Sequence, residues 1–413
     1  MTVALTCRKD RRKQVLLTMQ EVNRLKVVQE YMDGTLTMDQ AAMVLKRRPR
    51  SVYRLVAKVR AKGPGGILHG NRNRRSARRI AEATRKRLVG LAQGKYRDVN
   101  DRHLCELLRS TEGITIGRET LRCILRKEGI GPKRKVKRRK YRSRRERKEA
   151  FGMMLQIDAS PHDWLEGRGP WPTLVGGKDD ATSYVWARFE EAETTWGYMD
   201  LMREVITVHG VPLSLYADRH SIFHTSREPT IIEQLKDAVP LTQFGRAMDE
   251  LGVSIIKAWS PQAKGRIERQ WGTFQDRLVV ALRLAGAKTL AEANKVLEEF
   301  LKEYNKQFCV PPKQATAVFR KTPCKTVLHD VLCIKVDRTV KKDHTISIDG
   351  LVLQIPPSKK YPCMADGVVE VREYRDGHVE ISYKKTVVAQ FSAEAIARLL
   401  KTKVARNNSR EAA

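Results

Sequence analysis

Apolar side chains in the first part of the chain recur every three or four positions, which is the period of an amphipathic helix. The period runs through residues 19–33, returns in residues 37–45, and returns again from Pro49 to the residue before Gly63. Only the short turn at residues 46–48 separates the second segment from the third. Two short helices joined by so tight a turn predict a helix-turn-helix, with an ordinary three-helix core as the alternative.

The same period appears three more times before residue 130, in residues 85–92, 100–110 and 118–128. Gly117 stands where the last of these segments begins, and glycine is a weaker helix cap than serine. The spacing predicts a second helix-turn-helix, with residues 118–128 as its recognition helix.

Beyond residue 150 the pattern changes to short apolar runs of strand length that alternate with longer helical segments. Strands are expected at residues 153–158, 182–189, 211–218 and 253–256. Helices are expected at residues 195–210 and 243–251, and a further helix begins at residue 266. Another begins at residue 290, after a capping box of Thr289 and Glu292. This alternation predicts an α/β core built on a mixed sheet.

The last part of the chain is a series of short runs in which apolar and polar residues alternate. The runs are residues 332–336, 345–348, 351–355, 368–374, 378–383 and 385–391. Asp-Gly pairs separate several of them, and this dipeptide is a strong local signal for a β-hairpin. The runs predict a small SH3-like β-barrel, which a short helix at residues 392–400 follows.

These patterns divide the chain into eight segments. We expect helix-turn-helix domains at residues 1–66 and 85–131, basic linkers at 67–84 and 132–150, a catalytic core at 151–308, a connector at 309–331, a small barrel at 332–391, and a C-terminal helix and tail at 392–413.

Net charge adds a partner to this picture. The 413 residues carry a formal net charge of +33, which points to a polyanion such as nucleic acid. Residues 1–150 hold 43 Lys and Arg against 14 Asp and Glu, whereas residues 151–300 hold 16 against 21. A ribosomal or chromatin-like packaging protein would be basic throughout. The uneven charge instead predicts a DNA-binding front half joined to a core that keeps carboxylates for a purpose.

The predicted DNA contacts are basic residues of the two recognition helices, the first linker and the run at residues 133–148. They are Arg50, Arg54, Lys58, Arg72, Arg74, Arg75, Arg118, Arg122, Arg126, Lys133, Arg134, Lys135, Lys137, Arg138, Arg139 and Lys140. The run at 133–148 should contact phosphates without reading sequence. A solvated basic face is the alternative for the helices, and a localisation or solubilising tract is the alternative for the run.

Cysteine usage and hydropathy indicate the compartment. The seven cysteines form no C-x-x-C pair and no Cys/His spacing of a zinc site, so reduced thiols are expected. No apolar run reaches 18 residues, and the N-terminus lacks the apolar segment of a signal peptide. We expect a cytoplasmic protein with no membrane partner.

Three carboxylates are candidates for metal ligands. Asp158 and Asp218 each end an apolar run, and Glu268 lies near the start of a basic helix. Strand ends and a helix start can converge at one edge of a mixed sheet. Carboxylate oxygens suit Mg²⁺ or Mn²⁺, and two such ions can assist an in-line phosphoryl displacement. Taken alone, Glu268 is more often a solvated charge.

Other polar residues compete for this role. Asp163 and Glu166 follow Asp158 in a loop, while Asp179 and Asp180 precede a strand, where aspartates are usually turn formers. His162 and His220 are either neighbours of the site, DNA contacts or surface residues.

The three carboxylates lie in segments that resemble a known family. Asp158 in QIDASPHDW, Asp218 in LYADRHSIF and Glu268 in SPQAKGRIERQWGTFQDRL resemble the three motifs of the DDE transposase and retroviral-integrase superfamily. The chain is similar to bacterial insertion-sequence transposases of the ISNCY group. The resemblance implies an RNase H-like core in which Asp158, Asp218 and Glu268 are catalytic and bind two Mg²⁺ or Mn²⁺ ions. One departure is that Asp218 and Glu268 lie further apart than in the retroviral type.

The expected function is transposition. The front half would bind the terminal inverted repeats of a mobile element, and the core would cleave the element ends and join the 3′-OH ends to target DNA. Lys264 and Arg266 would meet the phosphate at the scissile bond. A dimer or higher oligomer on double-stranded DNA is expected, because two ends must be held together. The alternatives are a DNA-binding regulator with an inactive core and a metal-dependent nuclease without strand transfer.

Overall fold

The computed structural model describes residues 2–7, 10–72, 79–133, 145–229, 231–235, 239–258, 265–348, 350–357 and 360–401. The chain forms two compact units, residues 1–86 and residues 87–413.

The first unit is a hairpin followed by three helices. Strands β1 (Thr2–Cys7) and β2 (Asp10–Thr18) pair antiparallel, and the helices are α1 (Met19–Met32), α2 (Met38–Val44) and α3 (Pro49–Lys62). Thr18 and Thr37 each form a capping box, and Pro49 occupies the first position of α3. The three helices confirm the prediction, whereas the hairpin was not predicted.

A one-turn 3₁₀ helix (Gly63–Ile67) closes this unit. Its Gly66 lies so close to α3 that an added Cβ would stand 2.3 Å from the Lys58 carbonyl oxygen. Ile67 is buried in the core of α1, α2 and α3. The first residue of the predicted linker therefore belongs to the folded unit, because the glycines before it allow the chain to turn back onto α3.

Three more helices precede the core, and all three were predicted. They are α4 (Glu82–Gln93), α5 (Asp101–Thr111) and α6 (Arg118–Lys127). The Asn100 side chain caps α5, while Gly117 gives α6 no side-chain cap, as expected from its missing side chain.

The core is a five-stranded mixed sheet with the strand order β5-β4-β3-β6-β7. Strands β3 (Leu155–Pro161), β4 (Thr173–Asp179) and β5 (Val185–Glu190) pair antiparallel, whereas β6 (Ser214–Ala217) and β7 (Ser254–Lys257) continue the sheet parallel to β3.

Helices cover both faces of this sheet. One apolar cluster joins the sheet to α7 (Thr195–His209) and α9 (Gln243–Glu250), and a second joins it to α10 (Gly265–Leu284) and α11 (Leu290–Phe308). A short helix, α8 (Ile231–Leu235), lies between β6 and α9. The α/β character predicted for the core is confirmed.

Two details of the sheet differ from the prediction. Strand β4 was missed, because Gly176 and Gly177 interrupt its apolar pattern. Asp158 was expected at the end of its strand, but β3 continues to Pro161 and pairs Asp158 with Gly176 of β4. Only the parallel pairing of β3 with β6 stops before Asp158.

The C-terminal part begins with a helix that was not predicted, α12 (Lys325–Val331), in the expected connector. All six predicted strands then follow: β8 (Ile334–Thr339), β9 (Thr345–Ile348), β10 (Leu351–Gln354), β11 (Val368–Glu373), β12 (Val379–Tyr383) and β13 (Thr386–Phe391). They form a four-stranded sheet, β13-β12-β11-β8, and a separate hairpin, β9-β10, around one apolar core. A closed SH3-like barrel is not confirmed. Residues 393–401 are helical.

Across the described ranges, every helix is too short or too polar to cross a membrane.

Candidate active site

Asp158 and Asp218 lie on neighbouring strands. The register of β3 and β6 pairs Leu155 with Leu215 and Gln156 with Tyr216. Continued along both strands, this register brings Asp158 and Asp218 to the same level, where adjacent strands are about 4.8 Å apart. Asp218 directly follows β6, and its Oδ1 accepts a hydrogen bond from the His220 backbone N–H at 3.1 Å. Both aspartates are half-buried.

The Tyr198 phenol, on α7, is exposed to the charge of both aspartates. Burial raises the pKa of the Tyr198 phenol well above its ordinary value, and the nearby Glu193 raises it further. The negative charges of Asp158 and Asp218 both add to this shift. The charges of both carboxylates therefore act on the same phenol.

Trp271 connects Asp158 to α10. Its indole Nε1–H donates a hydrogen bond to Asp158 Oδ2 at 2.9 Å, and the ring itself is buried. The ring lies over Gly176, the β4 residue that pairs with Asp158, and a Cβ at that glycine would stand 2.6 Å from Trp271. Gly176 therefore lets α10 approach the sheet beside Asp158, and Trp271 packs α10 onto the sheet.

Glu268 lies one helical turn before Trp271. Residues three apart share a face of a helix, so α10 directs Glu268 toward the same side as Trp271. Glu268 is exposed and makes no ion pair or hydrogen bond with any residue that the structure describes. In those same ranges, no three His, Cys, Asp or Glu side chains lie close enough to hold a metal ion. The structure thus places Asp158 and Asp218 at the same level of the sheet and Glu268 one helical turn from the Trp271 contact, while the convergence of all three carboxylates stays a prediction.

The competing carboxylates have other partners. Asp163 accepts a hydrogen bond from the Gly167 backbone, and Glu166 pairs with Arg168 and Arg283. Asp179 accepts hydrogen bonds from both the backbone N–H and the hydroxyl of Thr182, which closes the turn between β4 and β5. The prediction that Asp179 forms a turn is confirmed.

Asp180 is the centre of a buried ion pair, a role its sequence position did not predict. The residue is 1% exposed. Its carboxylate accepts hydrogen bonds from Arg145 at 2.6 Å, from Gln156 Nε2 at 2.7 Å, from the Lys148 backbone at 2.8 Å, and from Arg266. Burial opposes ionisation, but the hydrogen bonds of Arg266, Lys148 and Arg145 hold the pKa of Asp180 below its ordinary value.

Arg266 was predicted to contact DNA at the scissile bond, but in the structure it is a partner in this ion pair. Arg266 is bonded to Asp180, and its second nitrogen donates to the Arg145 backbone oxygen. Its side chain is only 17% exposed, so it anchors the start of α10 to the sheet. Lys264, predicted for the same role, lies outside the described residues.

The two predicted histidines are also placed. His220 contributes its backbone N–H to Asp218, whereas the His162 ring packs edge-on against Trp164. Burial lowers the pKa of His162.

The predicted DNA contacts fall into three groups. Arg50, Arg54 and Lys58 are exposed along α3, on the side opposite its buried valines, and Arg118 is exposed at the start of α6. Four others have acidic partners: Arg72 with Glu21, Arg122 with Glu119, Arg126 with Asp101, and Lys133 with Asp276. The remainder lie outside the described residues: Arg74, Arg75, Arg134, Lys135, Lys137, Arg138, Arg139 and Lys140.

Helix α5 docks onto the helix that carries Glu268. Arg277 of α10 is 9% exposed and bonds both oxygens of Glu106, on α5, at 2.6 and 3.3 Å. Next to it, Asp276 pairs with Lys133 at 2.8 Å and accepts a hydrogen bond from Asn100, the residue that caps α5. Helix α5 is therefore fixed to α10.

Comparisons with known proteins identify relatives of this chain. Residues 24–86 match the family model of a winged helix-turn helix. The protein named transposase y4bF of Sinorhizobium fredii is 33% identical over 372 residues, which are 90% of this chain and 80% of that one. The transposase for insertion sequence IS1202 of Streptococcus pneumoniae is 30% identical over 364 residues, which are 79% of this chain and 76% of that one.

Likeness to solved structures is much weaker. The HTLV-2 integrase catalytic core domain in complex with magnesium is 17% identical, covers 36% of this chain and 85% of that one, and superposes with a TM-score of 0.26.

Proposed function

Because the chain belongs to the family of bacterial insertion-sequence transposases, we propose that it cuts and joins DNA at the ends of a mobile element. In this proposal the helical front half binds the terminal inverted repeats. The core then hydrolyses one phosphodiester at each end and directs the freed 3′-hydroxyl onto target DNA.

The observation that carries the proposal is that Asp158 on β3 and Asp218 at the end of the neighbouring strand β6 lie at the same level of the sheet, with α10 braced against Asp158 by Trp271. The sheet order β5-β4-β3-β6-β7, antiparallel on one side and parallel on the other, supports an RNase H-like core. Two relatives named as transposases align with this chain over most of their length, which supports the same role.

The donor set suits a divalent cation. Asp158, Asp218 and Glu268 offer carboxylate oxygens, which are the ligands that Mg²⁺ and Mn²⁺ prefer, and we propose that they hold two such ions. When bound, two ions activate the attacking oxygen and stabilise the leaving oxygen of a phosphoryl displacement. The protein itself fixes Asp158 through the Trp271 N–H and holds the start of α10 through Arg266.

DNA recognition is assigned to the helical segments. The family-model match at residues 24–86 and the transposase relatives imply DNA binding. We propose that Arg50, Arg54 and Lys58 face the major groove, because they form one exposed stripe on α3. A dimer or larger oligomer on DNA in the bacterial cytoplasm would hold the two ends together.

A strand-transfer assay tests the proposal. Full-length protein is incubated with Mg²⁺, a labelled duplex of the element end, and a plasmid target. Joined product is the expected result. Cleaved ends without joining would identify a nuclease, and binding without cleavage would identify a regulator, so either result contradicts the proposal.

Replacing Trp271 with Phe should slow end cleavage about tenfold. Phenylalanine keeps the ring over Gly176 but removes the N–H bonded to Asp158, and a hydrogen bond to a charged group contributes about 1.5–3 kcal/mol. The Mg²⁺ concentration for half-maximal cleavage should rise as well, because Asp158 loses its fixed orientation. End binding should not change.

Trp171→Phe is the matched control, since Trp171 is 64% exposed. If Trp271→Phe has the cleavage rate and Mg²⁺ dependence of this control, the hydrogen bond does not position Asp158.

A further inference from the structure

A basic pocket of about 500 Å³ opens beside α10, and none of Asp158, Asp218 and Glu268 lines it. Five cationic side chains line it: Arg145, Arg147, Lys178, Arg266 and Arg269. Gln270 lies among them. The residues come from the segment before β3, from β4 and from α10, so the pocket exists only in the folded core.

The face of α10 that lines this pocket differs from the face that carries Glu268. Arg266, Arg269, Gln270 and Thr273 are spaced three and four apart and form one stripe of the helix. Glu268 is two positions from Gln270, which is about 200° around the helix. A ligand in the pocket would therefore not occupy the position of the predicted metal ligands.

Most of the cations are held in fixed positions by the fold. Arg147 donates to the Ala181 carbonyl at 3.0 Å and to the Ser183 hydroxyl at 2.8 Å. Arg145 and Arg266 are both bonded to Asp180. The pocket is thus organised before any ligand arrives.

Positive charge in the pocket exceeds the negative charge available to balance it. Asp180 serves both Arg145 and Arg266, and Glu146 is 90% exposed and points to Lys313. The ammonium of Lys178 is mostly buried. Its burial and the charges of Arg147, Arg269 and Arg266 lower its pKa to about 8, although Asp180 acts in the opposite direction. An anion would relieve this repulsion.

Gln270 is a second, independent sign of a ligand. The residue is 2% exposed, and neither its amide nitrogen nor its amide oxygen has a hydrogen-bond partner among the described residues. Buried side-chain amides are normally bonded, because leaving them unpaired is costly. The Gln270 N–H₂ is free to donate to an anionic oxygen in the pocket, and its oxygen is free to accept from a cation.

We propose that this pocket binds one backbone phosphate of the DNA on which the core acts. The inference rests on the proposed function, because it takes DNA as the substrate of this domain. A DNA source is favoured over a free anion because Arg145 and Arg147 belong to the C-terminal end of the basic run at 133–148, so a strand that follows the run reaches the pocket directly. Guanidinium groups also suit the paired oxygens of a phosphodiester.

The test compares the full-length protein with Lys178→Met, which keeps the length of the side chain and removes its charge. The logarithm of the DNA-binding constant is measured against the logarithm of salt concentration. Loss of one phosphate contact should reduce the slope by about 0.9. Lys295→Met, an exposed lysine on α11, is the control and should keep the wild-type slope if it lies off the DNA path.

A methylphosphonate scan locates the contact. Single phosphates of the end duplex are made neutral in turn, and binding is measured without Mg²⁺. One position should weaken binding by the wild type and have no further effect on Lys178→Met. If every position affects the two proteins equally, the pocket does not hold a DNA phosphate and the proposal is wrong.

Gln270→Glu separates loss of the site from loss of the fold. A carboxylate at this position would itself neutralise the cations, so the variant should melt at a higher temperature than wild type. It should still lose the same phosphate contact in the scan. A lower melting temperature for Gln270→Glu would contradict the proposal that the pocket is built for an anion.

Two further results distinguish the alternatives. If inorganic phosphate stabilises the wild type but not Lys178→Met against heat, while their salt slopes on DNA agree, the pocket takes a small phosphate ligand and the assignment to DNA is wrong. Because the salt slope can be measured on any duplex, it does not depend on joining. A wild-type protein that fails to join ends but shows the slope difference contradicts only the proposed function.

Discussion

Glu268→Gln is expected to reduce cleavage of the element ends by about 10³-fold or more, with end binding nearly unchanged. Glutamine keeps the shape of the side chain but removes the charge that a divalent cation needs. Metal ions contribute several kcal/mol to a phosphoryl transition state, and each 1.36 kcal/mol corresponds to a factor of ten in rate. Single-turnover cleavage of a labelled end duplex and gel-shift binding measure the two effects.

The fold should not be affected by this substitution. Glu268 is exposed and has no ion pair or hydrogen bond with a described residue, and such surface changes alter stability by no more than about 0.5 kcal/mol. Glu299→Gln, on the exposed face of α11, is the matched control and should cleave like wild type. If Glu268→Gln cleaves at the wild-type rate, Glu268 is a solvated surface charge and not a metal ligand.

Most of the longer helices could be predicted because the signals that define them are local. Thr18, Thr37 and Thr289 each lie three residues before a Glu or Gln, and the structure contains a capping box at all three. Pro49 and Asn100 mark two further starts in the same way. A cap and its helix lie within one turn of chain, so a short window of sequence contains the whole interaction.

Strand β4 and the N-terminal hairpin could not be predicted by the same rules. Glycine has a low propensity for strands, so Gly176 argues against a strand at this position. A side chain here would collide with Trp271, which is 95 positions away in the sequence. In β2, charged residues at the beginning hide the apolar alternation. The miss of β4 arises because a tertiary contact, and not local preference, decides its conformation.

The candidate site shows the same division. Asp158, Asp218 and Glu268 could be selected by residue type and position, whereas the Trp271 hydrogen bond and the position of Asp180 required the fold. Arg266 was assigned to DNA because an arginine beside a candidate active-site residue suggests a phosphate contact. Its partner, Asp180, is 86 positions earlier in the chain, and spacing does not reveal such a pair.

The basic pocket was hidden for a related reason. A high content of Lys and Arg predicts a polyanionic partner but not which cations meet. Arg145, Lys178 and Arg269 come from three separate segments, and only the packing of α10 on β4 places them around one cavity. The unpartnered amide of Gln270 has no signature in the sequence at all.

Asp180→Asn should destabilise the core by about 3–5 kcal/mol, the usual result of removing one partner from a buried ion pair. The Asp180 side chain is 0% exposed and is bonded to both Arg145 and Arg266, so asparagine would leave two guanidinium groups without their counter-charge. An Asn N–H₂ would also meet the donor of Gln156 or Arg145 where an oxygen now accepts. For a domain of this size, the melting temperature should fall by about 10 °C.

The pH dependence identifies the cause of that loss. Because the pKa of Asp180 is lower in the folded protein than its ordinary value of 3.8, its charge stabilises the fold above that value and the contribution is lost as the pH falls through the folded pKa. The difference in melting temperature between wild type and Asp180→Asn should therefore be full at neutral pH and shrink in strong acid. Glu298→Gln, which removes an exposed partner of Lys302, should change melting by little at any pH. A difference that persists undiminished in acid would mean that asparagine destabilises the core through its shape and not through the missing charge.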